Sequence, residues 1–131
     1  LCSLEDARKA LDLGSCRVVC LKPGRVGGLS EARRIHDLCR SRRIPVWCGG
    51  MIESGIGKAH ALALASLPGF TLPGDFSPSD HYWVEDVVEP AITLDSQGYV
   101  PLPDKPGIGF KVRTDALQRA TGRVQTFESR C

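Results

Sequence analysis

Leu21-Lys-Pro-Gly-Arg-Val-Gly-Gly28 is the end of an apolar run breaking into a glycine-rich turn, and two later stretches repeat it. They are Trp47-Cys-Gly-Gly-Met-Ile-Glu-Ser-Gly-Ile-Gly57 and Leu72-Pro-Gly-Asp75, spaced about every 25 residues. A helical pattern separates the first from the second and the second from the third, as in consecutive βα units of a barrel. The turns therefore share one face, the face where barrels gather their ligand-binding groups.

Working outward, Ser3 caps a helix with Asp6 at the capping-box position, Leu4, Ala7, Ala10 and Leu11 form its stripe, and Gly14 ends it. Cys16 to Leu21 reads as a strand. Ser30 is the expected cap of a second helix that turns Ala32, Ile35, Leu38 and Cys39 inward and Arg33, Arg34, Asp37, Arg40 and Arg43 to water. Pro45 stops it, and Val46-Trp47-Cys48 is the next strand. A third helix, roughly Ile56 to Leu67, carries only Lys58 as a charge and reads as mostly buried. Phe70-Thr71-Leu72 follows as a strand.

After Gly74 the pattern changes. Seven of the nine prolines lie between Pro68 and Pro106, and short β-like pieces (87–93, 99–102, 109–112) alternate with turns. This tail is no further βα unit. Eight strands and about 250 residues close a barrel, and three strands alone would leave long unpaired edges. The chain thus reads as the carboxy-terminal part of a larger α/β barrel: residues 1–80 a partial (β/α) barrel, residues 81–131 a proline-rich carboxy-terminal segment.

The 131 residues carry 17 basic and 15 acidic side chains, a net charge of +2, with 42% hydrophobic and 24% charged residues. That balance gives no field calling for nucleic acid or an anionic membrane, and the basic run from Arg33 to Arg43 has no aromatics interleaved. A small-molecule partner is expected. The first thirteen residues hold Glu5, Asp6, Arg8, Lys9 and Asp12, unlike a signal peptide, and no apolar run is long enough to span a bilayer. A cytoplasmic setting is expected. Cys2, Cys16, Cys20, Cys39, Cys48 and Cys131 lack CxxC spacing and read as mostly buried thiols. His36, His60 and His81 have no ligand-like spacing and receive no chemistry.

A phosphate loop ending at Lys58 would need glycine where Ile52 stands, which removes that possibility. Gly24-Arg-Val-Gly-Gly28 before a helix start is only a weak anion-binding signal. Lys22, ending an apolar strand and followed by Pro and Gly, is placed at the barrel mouth.

Lys22-Pro-Gly-Arg-Val-Gly-Gly28, Ile44-Pro-Val-Trp-Cys-Gly-Gly-Met-Ile-Glu-Ser-Gly-Ile-Gly57 and Leu67-Pro-Gly-Phe-Thr-Leu-Pro-Gly-Asp75 together resemble the o-succinylbenzoate synthase and N-succinylamino acid racemase group of the enolase superfamily. Tyr82-Trp83, Val100-Pro-Leu-Pro103 and Pro106-Gly-Ile-Gly109 extend the resemblance, which weakens after about Arg113. The mandelate racemase branch is disfavoured because Cys48-Gly49-Gly50 stands where it has a histidine. Dipeptide epimerases are disfavoured because Asp75 is followed by Phe76 and Ser77 rather than completing an Asp-x-Asp.

The resemblance implies strands six to eight of a TIM-type (β/α) barrel, with the tail returning to a capping domain. It implies abstraction of a proton α to a carboxylate of a small-molecule substrate, magnesium as cofactor, and a homo-oligomer at full length. Lys22 matches the catalytic lysine at the end of the sixth strand. In dehydration it stabilises the intermediate electrostatically, and in racemisation it exchanges a proton. A lysine is ordinarily protonated at neutral pH, so a like charge nearby is needed to poise it, and Arg25 is the candidate. The resemblance also implies that Gly49, Gly50, Met51 and Ile52 fall along the substrate's acyl side chain. Glu53 orients the loop, meets a cation, or makes a structural salt bridge.

No metal ligand is expected in this chain, because the group's acidic ligands and a partner lysine correspond to positions before Leu1. General acid–base help contributes about 3 to 5.5 kcal/mol, whereas enzymes supply about 8 to 23. Alone, the 131 residues are expected to bind no magnesium and turn nothing over. The synthase is the first expectation, the racemase the second. A non-catalytic assembly or binding piece is the alternative from another class.

Overall fold

The computed structural model describes residues 1–127. Its elements are α1 (Leu4–Asp12), β1 (Val19–Leu21), a 3-10 turn (Pro23–Arg25), α2 (Leu29–Ser41), β2 (Val46–Cys48) and α3 (Gly55–Ala65), followed by a second 3-10 turn (Ser79–His81), β3 (Val88–Glu89), β4 (Lys111–Val112) and α4 (Thr114–Ala120).

β1 and β2 pair in parallel with Val19 opposite Val46, Cys20 opposite Trp47 and Leu21 opposite Cys48. Val19, Leu21, Val46 and Cys48 are buried against the helices, whereas Cys20 is exposed and Trp47 half-buried, the alternation of a strand pair with helices on one face. Ala7, Ala32, Ile35, Cys39, Ala61 and Leu64 complete that core. A second cluster of Leu62, Val88 and Ile92 packs the other side of α3 against the tail. With apolar surface on two sides, α3 is buried at Gly55, Lys58, Ala59, Ala61, Leu62 and Leu64.

Several expectations are corrected. The Ser3 cap stands, its side chain accepting from the Asp6 N–H at 3.1 Å. Ser30 is not a cap, however: Gly28 is the N-cap of α2, reached through left-handed backbone at Gly27 (φ 85°) and Gly28 (φ 115°), so the helix begins earlier, at Leu29. The first strand shrinks to Val19–Leu21. The expected strand at 70–72 is only an isolated bridge between Val46 and Phe70, because Pro73 brings no N–H to a ladder. The tail pieces shrink to β3 and β4, which pair antiparallel, and 99–102 forms no strand. There the Asp95 carboxylate accepts from the N–H groups of Gln97 and Tyr99 and makes a turn instead. Leu38 is half-buried, and His36 takes the inward place. The ring stacks on Phe70 at 5.4 Å, and Nε2 accepts from the Gly69 N–H at 3.2 Å while Nδ1 meets Asp37 at 2.9 Å. The thiols are not mostly buried: Cys39 and Cys48 are, Cys16 is intermediate, Cys2 and Cys20 are exposed, and Cys131 lies outside the described residues.

α4 is held by ion pairs. Glu85 accepts from Arg113 at 2.5 Å and from Arg119 at 2.8 Å, and Asp115 accepts from Arg119 at 3.1 Å. The Arg119 and Arg113 hydrogen bonds hold the Glu85 carboxyl below its ordinary value, and the Ala116 N–H followed by Arg119 does the same for Asp115. Both folded-state values are depressed, so this stabilisation is present above the ordinary carboxylate range and is lost as pH falls through the depressed values. The helical NMR shifts of residues 114–120 should therefore hold down to about pH 4 and weaken as pH falls further, and Arg119→Ala should weaken them at neutral pH. Shifts unchanged between pH 6 and about 2 would refute this.

Candidate functional site

Lys22 is the first residue beyond β1. Its extended backbone leads into the Pro23–Arg25 turn, where the Arg25 N–H donates to the Lys22 carbonyl at 3.0 Å. On the neighbouring strand, the Gly49 N–H donates to the Leu21 carbonyl at 3.1 Å, which carries the parallel pairing one step past β2. The half-buried Lys22 ammonium then reaches across and donates to the Gly50 carbonyl. An ammonium has three donors, so two remain for another group.

The glycines make room. A Cβ on Gly49 would sit 2.7 Å from Cys20 Sγ, 2.7 Å from Lys22 Cε and 2.9 Å from Lys22 Nζ. A Cβ on Gly50 would sit 2.5 Å from the Asp75 carbonyl oxygen. Asp75 also accepts the Gly50 N–H through Oδ1 and donates its own N–H to the Cys48 carbonyl at 3.4 Å. The third turn is thus fastened to the second although no regular strand precedes it. Asp75 and this fastening carry no local sequence signal beyond the Pro-Gly-Asp turn.

Met51 and Ile52 are exposed, Ile52 at 71%. Met51 Sδ lies 3.7 Å from where a Gly24 Cβ would be, so the second loop overhangs the first. Arg25 is exposed and, among the described residues, pairs with no carboxylate. Glu53 is half-buried, its N–H donates to the Met51 carbonyl at 2.8 Å, and its Oε2 is buried without a hydrogen-bond partner among the described residues. Burial pushes its carboxyl above the ordinary value, and Lys22 pulls it partly back. No ion pair forms at Glu53 among the described residues.

Cys20 faces the same side as Lys22. Burial raises its thiol despite the neighbouring ammonium. Cys48 points the other way, donates to the Ala61 carbonyl at 3.6 Å, and is pushed up to about 12 by burial, which leaves it inert as a nucleophile. Among the described residues no group of three or more His, Cys, Asp or Glu is placed to hold a metal ion, and no helix is long and apolar enough to cross a membrane.

A pair of parallel strands flanked by helices, with a lysine and a glycine-rich loop at adjacent strand ends, is the pattern of an α/β barrel's ligand-binding face. Residues 1–116 match the Enolase C-terminal domain-like family, and the chain belongs to it. Among its relatives is an o-succinylbenzoate synthase from Geobacillus stearothermophilus, 53% identical over 125 residues, covering 95% of this chain and 33% of that protein. An N-succinylamino acid racemase from Amycolatopsis is 50% identical over 119 residues, covering 91% and 32%. The crystal structure of an enolase superfamily member from Listeria innocua superposes with a TM-score of 0.84 at 43% identity, covering 91% of this chain and 32% of that one. The chain spans about a third of the length of these relatives.

Gly49→Ala and Gly50→Ala separate site geometry from stability. The first needs only the tips of Lys22 and Cys20 to move, so the fold should persist while the ammonium leaves the Gly50 carbonyl in a crystal structure of the variant. The second collides with backbone and should lose about 1–3 kcal/mol by denaturant titration. Equal stability losses would contradict this.

Proposed function

We propose that this chain supplies Lys22 and the Gly49–Glu53 loop to an o-succinylbenzoate synthase, a lyase that removes the proton α to a carboxylate and eliminates water. The supporting observation is the Lys22 ammonium held against the Gly50 carbonyl across two adjacent strand ends, with two donors to spare. In the dehydration Lys22 stabilises the negative charge that develops on the substrate. Gly49, Gly50, Met51 and Ile52 line the acyl side of the substrate, and Glu53 orients the loop. Arg25, exposed and therefore screened by water, is proposed as the like charge that poises Lys22 for the proton exchange of the second reading below.

A second reading is N-succinylamino acid racemisation, with Lys22 exchanging the proton on one face of the substrate. It is favoured by the similarity to the racemase, nearly as high as to the synthase. The described residues do not fit a magnesium site. In this proposal the ligands of the ion come from other segments of a full-length enzyme. The reading carries with it a cytoplasmic, homo-oligomeric enzyme in which residues 81–131 return to a capping domain.

In the full-length protein, Lys22→Ala should lower kcat by about 10²- to 10⁴-fold, and undiminished turnover would remove Lys22 from the chemistry. Comparing kcat/KM for the menaquinone precursor with that for N-succinyl amino acids decides between the two reactions. In the racemase reaction, Arg25→Gln should move the pH–rate profile to higher pH, because losing a like charge favours the protonated lysine. A profile that stays put refutes the tuning.

A further inference from the structure

The loop that carries Gly50 and Glu53 is gripped from behind by a segment some thirty residues later. Trp83 donates its indole N–H to the Glu53 carbonyl at 3.0 Å. Two residues on, the Gly55 N–H opens α3 and donates to Asp86 Oδ1 at 2.7 Å. Ser54, the N-cap of α3, makes no side-chain capping bond, so the carboxylate at that helix start comes from Asp86. The helix dipole favours a negative charge there.

Asp86 is only 7% exposed and fully engaged. It also accepts from the Val87 N–H at 2.7 Å and from Ser79 Oγ at 2.5 Å, while Ser79 Oγ accepts the Ile92 N–H at 3.1 Å. Lys58, one turn into α3 and buried, donates to the Pro78 carbonyl at 3.1 Å with its ammonium 5.7 Å from the Tyr82 ring. A Cβ on Gly55 would lie 2.1 Å from Val88 Cγ2 and 2.9 Å from Asp86 Oδ2, so those two side chains fill the space a larger residue at 55 would need. Residues 78–86 therefore hold 53–58 at three successive points. Met51 and Ile52, between this grip and the Lys22 contact, are the exposed part of the loop.

We propose that Trp83 and Asp86 are positioning residues: they fix the far end of the Met51–Ser54 loop, and with it the surface that receives the acyl side of the carboxylate substrate. This rests on the function proposed above for that loop. Neither residue touches the reacting atoms. Their loss should be felt in substrate binding more than in the chemical step.

The test uses the full-length protein with Asp86→Ala, Asp86→Asn and Trp83→Phe. Asp86→Ala should raise KM about tenfold or more, with kcat within about threefold and an unmoved pH–rate profile. Asp86→Asn should restore most of the loss, because its Oδ1 still accepts from Gly55. Trp83→Phe keeps the ring, removes only the N–H, and should raise KM in the same direction. Amide hydrogen exchange at Glu53 and Gly55 should quicken in Asp86→Ala and stay slow in Asp86→Asn. An unchanged KM in both Asp86→Ala and Trp83→Phe, or a fall in kcat alone, overturns the proposal. If the wild type turns over neither substrate, the functional reading falls, and exchange at Glu53 and Gly55 then judges the grip: unaltered rates in Asp86→Ala overturn it.

Discussion

The parallel register that sets Leu21 opposite Cys48 is the constraint on which the candidate site depends. Side chains in a strand alternate, so this register sends Val19, Leu21, Val46 and Cys48 into the helical layer and leaves Cys20, Lys22, Trp47 and Gly49 on the other side. Slipping by one residue would bury an ammonium among Ala61 and Leu64 and expose the core. The burial of four apolar side chains and the placement of one lysine are therefore the same event.

Space is the second requirement, met by leaving side chains out. Gly49 gives the Lys22 tip its path, Gly50 admits the Asp75 backbone, and Gly55 lets the tail lie against the start of α3. Each glycine answers a different neighbour, so the loop between β2 and α3 is bounded by β1 on one side, the third turn on another and the tail behind. The loop has few torsions free to absorb a substitution at these three places.

Local signals in the sequence carried the elements well where one side chain decided the outcome. Ser3 with Asp6, Pro45 before Val46, and the almost uncharged run through α3 lead directly to the structure. Ser30 misled because two left-handed glycines outrank a hydroxyl in choosing where a helix starts. Phe70–Leu72 misled because apolar character says nothing about whether a neighbour offers the hydrogen bonds a strand needs. Around Lys22, the strand end and the glycines were readable from spacing. The parts played by Asp75, Trp83 and Asp86 were not, because each acts on backbone atoms 25 to 31 residues away. α4 escaped because its anchor, Glu85, is equally remote. His36 showed its inward place only once Gly69 and Phe70 had folded against it.

The borrowed carboxylate at the head of α3 has a consequence for biosynthesis. A ribosome makes the chain from the amino terminus, so α3 emerges from it before Asp86 does. Until that residue emerges, the helix has neither its cap nor its tail-side cover, and Leu62 stays open to water. The nascent chain then carries a greasy, frayed helix for the time needed to translate about thirty codons, a window in which a chaperone has something to hold.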